Sequence, residues 1–157
     1  MLTGSFALAY YATPRMTRDL DFVVALTERD IPSLSAAFER DFYIDAETAS
    51  AAVRSERLFN LMHLASGIKI DMIVRKADAY RQLEFERRVP VDFAGVRTWI
   101  VTREDLILSK LIWARDGKSE LQLRDIRSLL QTAPDLDYTR VWAQKLGVLQ
   151  LLDSLLK

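Results

Sequence analysis

Apolar and polar positions along this chain follow two different periods, and the change from one to the other divides it. Up to about residue 101, short runs with the strand period of two are mixed with helical stretches of period 3.6; from Thr102 on only the helical period remains. Residues 5–12 read as a short apolar helix with Ser5 as its N-cap, stopped by Pro14 and followed by a loop from Arg15 to Arg18. Residues 19–25 form a strand. Thr27 with Asp30 is a capping-box pattern opening an amphipathic helix to about Arg40, and Pro32 lies close enough to its start to be tolerated. Residues 46–56 and 77–87 are helical. Between them, 58–65 and 68–74 flank Ser66-Gly67 as a hairpin. A two-residue turn there pairs Ala65 with Ile68, Met62 with Asp71 and His63 with Ile70. Two more short strands, 89–93 and 97–101, lie around Ala94-Gly95. Thr102 with Asp105 and Ser119 with Gln122 open two further helices; Asp137 caps a third, Gly147 ends it, and VLQLLDSLL is the fourth. The expectation is an α+β fold: a small mixed β-sheet with flanking helices over residues 1–101, and a C-terminal helical bundle over 102–157 packed on that core.

Composition narrows the function. At 157 residues, half of them hydrophobic, the chain can bury a real core. The 22 basic side chains equal the 22 acidic ones, so any nucleic-acid surface has to be local. There is no cysteine, which excludes disulfides, thiolate metal sites and cysteine nucleophiles, and a single histidine excludes a histidine-rich metal site. No apolar run approaches a membrane span and the N-terminus is not signal-like, so a cytoplasmic protein is the expectation.

The chemistry concentrates in the strand that opens Asp19-Leu20-Asp21. Alternation puts both aspartates on one face and Leu20 on the other, and two adjacent carboxylates repel unless a cation lies between them. Carboxylates completed by phosphate oxygens are a common way to hold Mg²⁺. Asp71 is a third acid, mid-strand among apolar residues, sharing its face with Lys69 and Ile73; an edge-strand residue facing water is the plainer reading. Gly4 permits a close backbone approach, and the helix behind Ser5 offers free N–H groups to an anion. Arg15 and Arg18 suit phosphate or simply balance the acids; Arg18 points away if it already belongs to the strand, which favours Arg15. Lys110 and Asp125 each lie on apolar helical faces, Lys110 with Leu106 and Ala114, Asp125 with Leu121 and Leu129, so the two are expected to pair. His63 is read as a packed or rim residue. Trp99, Trp113 and Trp142 read as core, though one near the site would stack a base.

Gly4-Ser5, thirteen residues, then Asp19-Leu20-Asp21 and an apolar residue resembles the signature of the DNA-polymerase-beta-like nucleotidyltransferase superfamily. The Pro14-Arg15-Met16-Thr17-Arg18-Asp19 segment is similar to its small bacterial members of the AbiE-toxin and antibiotic-nucleotidyltransferase type. The resemblance implies Mg²⁺- or Mn²⁺-dependent transfer of NMP from an NTP to a hydroxyl. Asp19, Asp21 and Asp71 would be the catalytic and metal-binding acids, with Asp71 as general base. Gly4, Ser5, Arg15, Arg18, Lys110 and Asp125 would bind the nucleotide; for Lys110 and Asp125 the similarity lies in KLIWARDGKSELQLRD, whose spacing differs from the toxins' motif. The implied acceptors are a tRNA end, a small molecule or a protein side chain, and a toxin-type member would have a cognate antitoxin-like partner. The family brings a strand into its Gly-Ser turn; only Met1, Leu2 and Thr3 stand before Gly4, so that strand is expected as a stub or upstream. The alternative is a nucleotidyltransferase-like partner that binds or regulates without turnover.

Overall fold

The computed structural model describes residues 1–93 and 95–157; Ala94, half of the expected Ala94-Gly95 turn, lies outside the described residues. The chain runs β1 (Leu2–Thr3), α1 (Gly4–Tyr11), β2 (Asp19–Val24), a 3₁₀ turn (Glu28–Asp30), α2 (Ile31–Phe38), β3 (Phe42–Tyr43), α3 (Ala46–Arg54), β4 (Leu58–His63), β5 (Lys69–Val74), α4 (Ala79–Glu86), β6 (Val89–Phe93) and β7 (Val96–Ile100). Four helices follow: α5 (Arg103–Gly117), α6 (Glu120–Leu130), α7 (Leu136–Lys145) and α8 (Leu149–Leu155). The strands form one seven-stranded mixed sheet in the order β3-β4-β5-β2-β1-β7-β6. The first strand is present as two residues, yet it joins the halves of the sheet: Leu2 pairs antiparallel with Phe22 and parallel with Ile100.

Burial follows strand alternation. Phe59 and Leu61 of β4 and Met72 and Val74 of β5 face Ile31, Ala49 and Ala52 of α2 and α3, closing one core. A second core gathers Leu2, Ala7, Leu8 and Ile100 with Leu106, Ile107, Leu111, Ile126, Leu129 and Leu152. The C-terminal helices therefore share their interior with α1, β1 and β7. Helices α2 and α3 cover one face of β2, β5 and β4; the residues of opposite parity, Asp19, Asp21, Lys69 and Asp71, are left on the other.

Several local expectations change. Helix α1 is capped at Thr3, not Ser5, because Gly4 turns the chain at φ +61° before the helical run begins. The Thr27–Asp30 capping box closes the 3₁₀ turn, and α2 starts behind it and stops at Phe38. Asp135, not Asp137, caps α7, accepting from the Tyr138 N–H. The β4–β5 hairpin has a four-residue turn: His63 N–H donates to Ile68 O at 2.8 Å and Gly67 N–H to His63 O at 2.9 Å. Asn60, not Met62, consequently lies opposite Asp71, and Leu61, not His63, opposite Ile70. A slip of two residues keeps every side chain on its expected face, so His63 remains opposite Asp71's side, packed 4.9 Å from the Phe42 ring. No helix among the described residues is long and apolar enough to cross a membrane.

Candidate active site

Strands β2 and β5 run parallel and in register, with Asp19 opposite Lys69 and Asp21 opposite Asp71. Directly paired residues share a face, so this register alone builds a square of three carboxylates and one ammonium. Lys69 Nζ lies 3.0 Å from Asp71 Oδ2 and 3.7 Å from Asp19 Oδ2. Burial raises the Asp21 carboxyl above the usual range, the nearby Asp71 raises it further, and the Ser5 backbone N–H works against both. Among the described residues no three acidic or histidine side chains converge as a ready-made metal cage. The donors nonetheless fit a hard divalent cation at the Asp21–Asp71 edge: these two are cross-strand neighbours, and Asp71 Oδ1 is buried without a hydrogen-bond partner among the described residues.

The Gly-Ser turn lies against this edge. A Cβ built on Gly4 would stand 1.9 Å from Asp21 Oδ2, so only glycine allows the backbone to lie there. Arg15 ties the turn down from behind: its Nη2 donates to Ser5 Oγ at 2.5 Å and its Nε to Asp125 Oδ1 at 3.2 Å. Asp125 also accepts from Lys110 Nζ at 2.6 Å, and Lys110 donates a second bond to Gln122 Oε1 at 3.0 Å. The expected Lys110–Asp125 pair thus exists between α5 and α6, 5% and 4% exposed. Burial lowers the Lys110 ammonium pKa, while Asp125 opposes that shift. Ser5, Arg15, Lys110 and Asp125 form one chain of contacts linking α1 to the helical part. Arg18 is exposed and belongs neither to this chain nor to the cleft wall.

A cleft of about 760 Å³ opens beside Asp21, the one member of the square that lines it. Gly4, Ser5, Asp21 and Lys110 line one part; Arg57, Arg75, Arg81 and Glu84 line another. Trp113, 53% exposed, lines it too, and Trp99 is 47% exposed, so neither fills the core as the apolar pattern suggested. Trp142 does pack, 5.2 Å from the Tyr80 ring.

Three groups gain their part in the site only in the folded chain. Lys69 was legible by alternation as a face-mate of Asp71, but nothing local shows that it reaches across to Asp19. On the cleft wall Glu84 accepts from Ser109 Oγ at 2.5 Å and from Arg81 Nη1 at 2.8 Å. Asp105, 0% exposed, is more than a capping side chain: it holds Thr102, Tyr138 and Arg87 at 2.6, 2.8 and 3.0 Å. Both acids bring together helices distant in sequence, and no spacing encodes that.

Burial raises the Glu84 carboxyl, with Arg81 and Ser109 opposing. The folded protein therefore keeps this proton to a higher pH than the unfolded chain does. The stability linked to it is complete below the ordinary glutamate pKa and is lost as pH rises through the raised folded value. Urea unfolding from acid to neutral pH should show that decline in the wild type and less of it in Glu84→Gln. Parallel curves would mean that Glu84 ionises as easily folded as unfolded.

Comparison of the sequence with protein-family models finds no match, and comparison with curated proteins finds none. Solved structures do match. The lincosamide antibiotic adenylyltransferase LnuA, in its lincomycin-bound crystal structure, superposes with a TM-score of 0.52 at 11% identity over 84% of this chain and 85% of that one. An antigenic nucleotidyltransferase-like protein from Paracoccidioides brasiliensis gives 0.52 at 17% identity over 98% and 82%. The chain has a nucleotidyltransferase-like fold. At these identities the likeness concerns the fold, whose sheet carries the acids and whose helices α1, α4, α5 and α6 complete the cleft with it.

Proposed function

We propose that this chain transfers a nucleotidyl group from an NTP to a hydroxyl acceptor with the help of Mg²⁺ or Mn²⁺. The observation that carries the reading is the β2–β5 register, which sets Asp21 opposite Asp71 with the Gly4-Ser5 turn against Asp21 and an open cleft lined by Gly4, Ser5 and Asp21. Asp21 and Asp71, with Asp19 beside them, would hold the metal, which supplies Lewis-acid polarisation of phosphate oxygens. The positive dipole end of α1 binds phosphate beside Asp21, which already takes the Ser5 N–H, and Gly4 keeps that approach open. Asp71 takes the proton of the acceptor hydroxyl, whose oxygen then attacks the α-phosphorus as pyrophosphate leaves in line. Lys110 faces the same cleft and, though bonded to Asp125, adds positive charge near the triphosphate. Trp113 offers a ring for base stacking.

The acceptor fits best as a small molecule. The cleft volume lies within the roughly 300–1,000 Å³ of small-ligand sites, and LnuA is a lincosamide antibiotic adenylyltransferase seen with lincomycin bound. A tRNA end or a protein side chain, and with a toxin-like role an antitoxin-like partner, are the other acceptor and partner classes; the balanced charge disfavours an extended RNA surface.

The test is thermal. At an NTP concentration near 100 times its Kd, Mg²⁺–NTP should stabilise the wild type by about 2.7 kcal/mol and leave Asp21→Ala/Asp71→Ala almost unmoved. In the same assay Trp113→Ala should need roughly 5- to 150-fold more NTP, the usual range for losing one stacked base. An NTP panel labelled at the α-phosphate, offered with small-molecule extracts and total tRNA, then identifies the acceptor. Equal shifts in the wild type and the double variant would remove the reading.

A further inference from the structure

Lys69 is the one member of the Asp19–Asp21–Lys69–Asp71 square that no nucleotide or acceptor role explains. Its ammonium lies 3.0 Å from Asp71 and 3.7 Å from Asp19, on the same face as both, because β2 and β5 are parallel and in register. Asp71 is thereby divided between two tasks. Its Oδ2 is held by Lys69, while its Oδ1 is buried with no partner among the described residues. The Asp71 side chain is only 15% exposed, so water does little to relieve that oxygen.

Charge counting decides what the square can accept. Three carboxylates against one ammonium leave two negative charges when all are ionised, which one divalent cation neutralises. The ammonium already stands between Asp19 and Asp71, and in the chain without nucleotide a second divalent cation anywhere in the square would make it net positive. We propose that Lys69 is a built-in cation that takes the place of a second metal ion, so that before nucleotide arrives this site binds a single divalent cation at the Asp21–Asp71 edge. The inference rests on the metal-dependent reading above and adds to it a stoichiometry and a residue that sets it. Lys69 then acts as a positioning residue: it fixes Asp71 from one side and opposes, by repulsion, any cation approaching from the other.

The test uses Mn²⁺ alone, followed by calorimetry and by the loss of its free paramagnetic signal, on the full chain without nucleotide. The wild type should bind one Mn²⁺ per chain. Lys69→Met should bind that ion roughly tenfold more tightly, because a unit positive charge a few ångströms away has been removed, and should melt at a lower temperature in the absence of metal. Lys69→Arg, which keeps the charge, should stay near the wild type in affinity. Should Lys69→Met fail to fold, Lys69→Gln carries the same comparison. Two Mn²⁺ per wild-type chain, or equal affinities in wild type and Lys69→Met, would overturn the role of Lys69 while leaving the metal-dependent reading in place. No binding in either protein would remove both.

Discussion

Replacing Asp125 with alanine is expected to destabilise the protein by about 3–5 kcal/mol, the cost of leaving a buried ion pair without one partner. Asp125 is 4% exposed and accepts from two cations, Lys110 at 2.6 Å and Arg15 at 3.2 Å. Its loss strands an ammonium that burial already pushes toward its neutral form, and it frees Arg15 from the position in which it holds Ser5. Removing both charges is a different experiment. Lys110→Met with Asp125→Leu should lose far less stability, because a buried pair often gains little over apolar side chains of similar size. That double variant also separates structure from chemistry at Lys110. Since Lys110 lines the cleft, we expect the double variant to fold and to bind Mg²⁺–NTP markedly more weakly. Urea unfolding and NTP titration of the three variants check this. A double variant as unstable as Asp125→Ala would show that the side chains act separately, and an unchanged Kd would make Lys110 purely structural.

Gly4→Ala should abolish the NTP-dependent thermal shift and cost about 1–3 kcal/mol of stability, the usual cost of forcing a side chain into a sparsely populated backbone region. Two effects combine at this position. The backbone sits at φ +61°, where L side chains are strained, and the new Cβ would fall 1.9 Å from Asp21 Oδ2 and 2.6 Å from its Cγ. Asp21 must move, and with it one edge of the acid square. Gly67→Ala is the matched control, for its φ is +67° but nothing lies within 4 Å of the added carbon. It should show the strain alone, about 1 kcal/mol, and keep the full response to Mg²⁺–NTP. Should the two variants respond equally to nucleotide, the close approach of Gly4 to Asp21 has no functional weight.

Local pattern along the chain sets most of the elements and the face each residue occupies. Alternation placed Asp19 with Asp21, and Lys69 with Asp71, because a pleated strand leaves no other choice, and the even slip in the β4–β5 turn changed partners without changing faces. The apolar spacing around Lys110 and Asp125 required a partner for each, and both were available. What local sequence did not carry was which elements become neighbours. The two-residue β3 has too few positions to show an alternation, and β1 gains its place in the sheet from pairing on both sides. The reach of Lys69 to Asp19, the clamp of Arg15 on Ser5 and Asp125, and the Arg81–Glu84–Ser109 wall all join residues from separate elements. Trp113 shows the same limit from the other side: its apolar helix predicted burial, and the cleft left it half exposed. Periodicity records which face a residue occupies. What that face meets is set when distant elements pack, through contacts whose energy depends on distance and burial rather than on spacing along the chain.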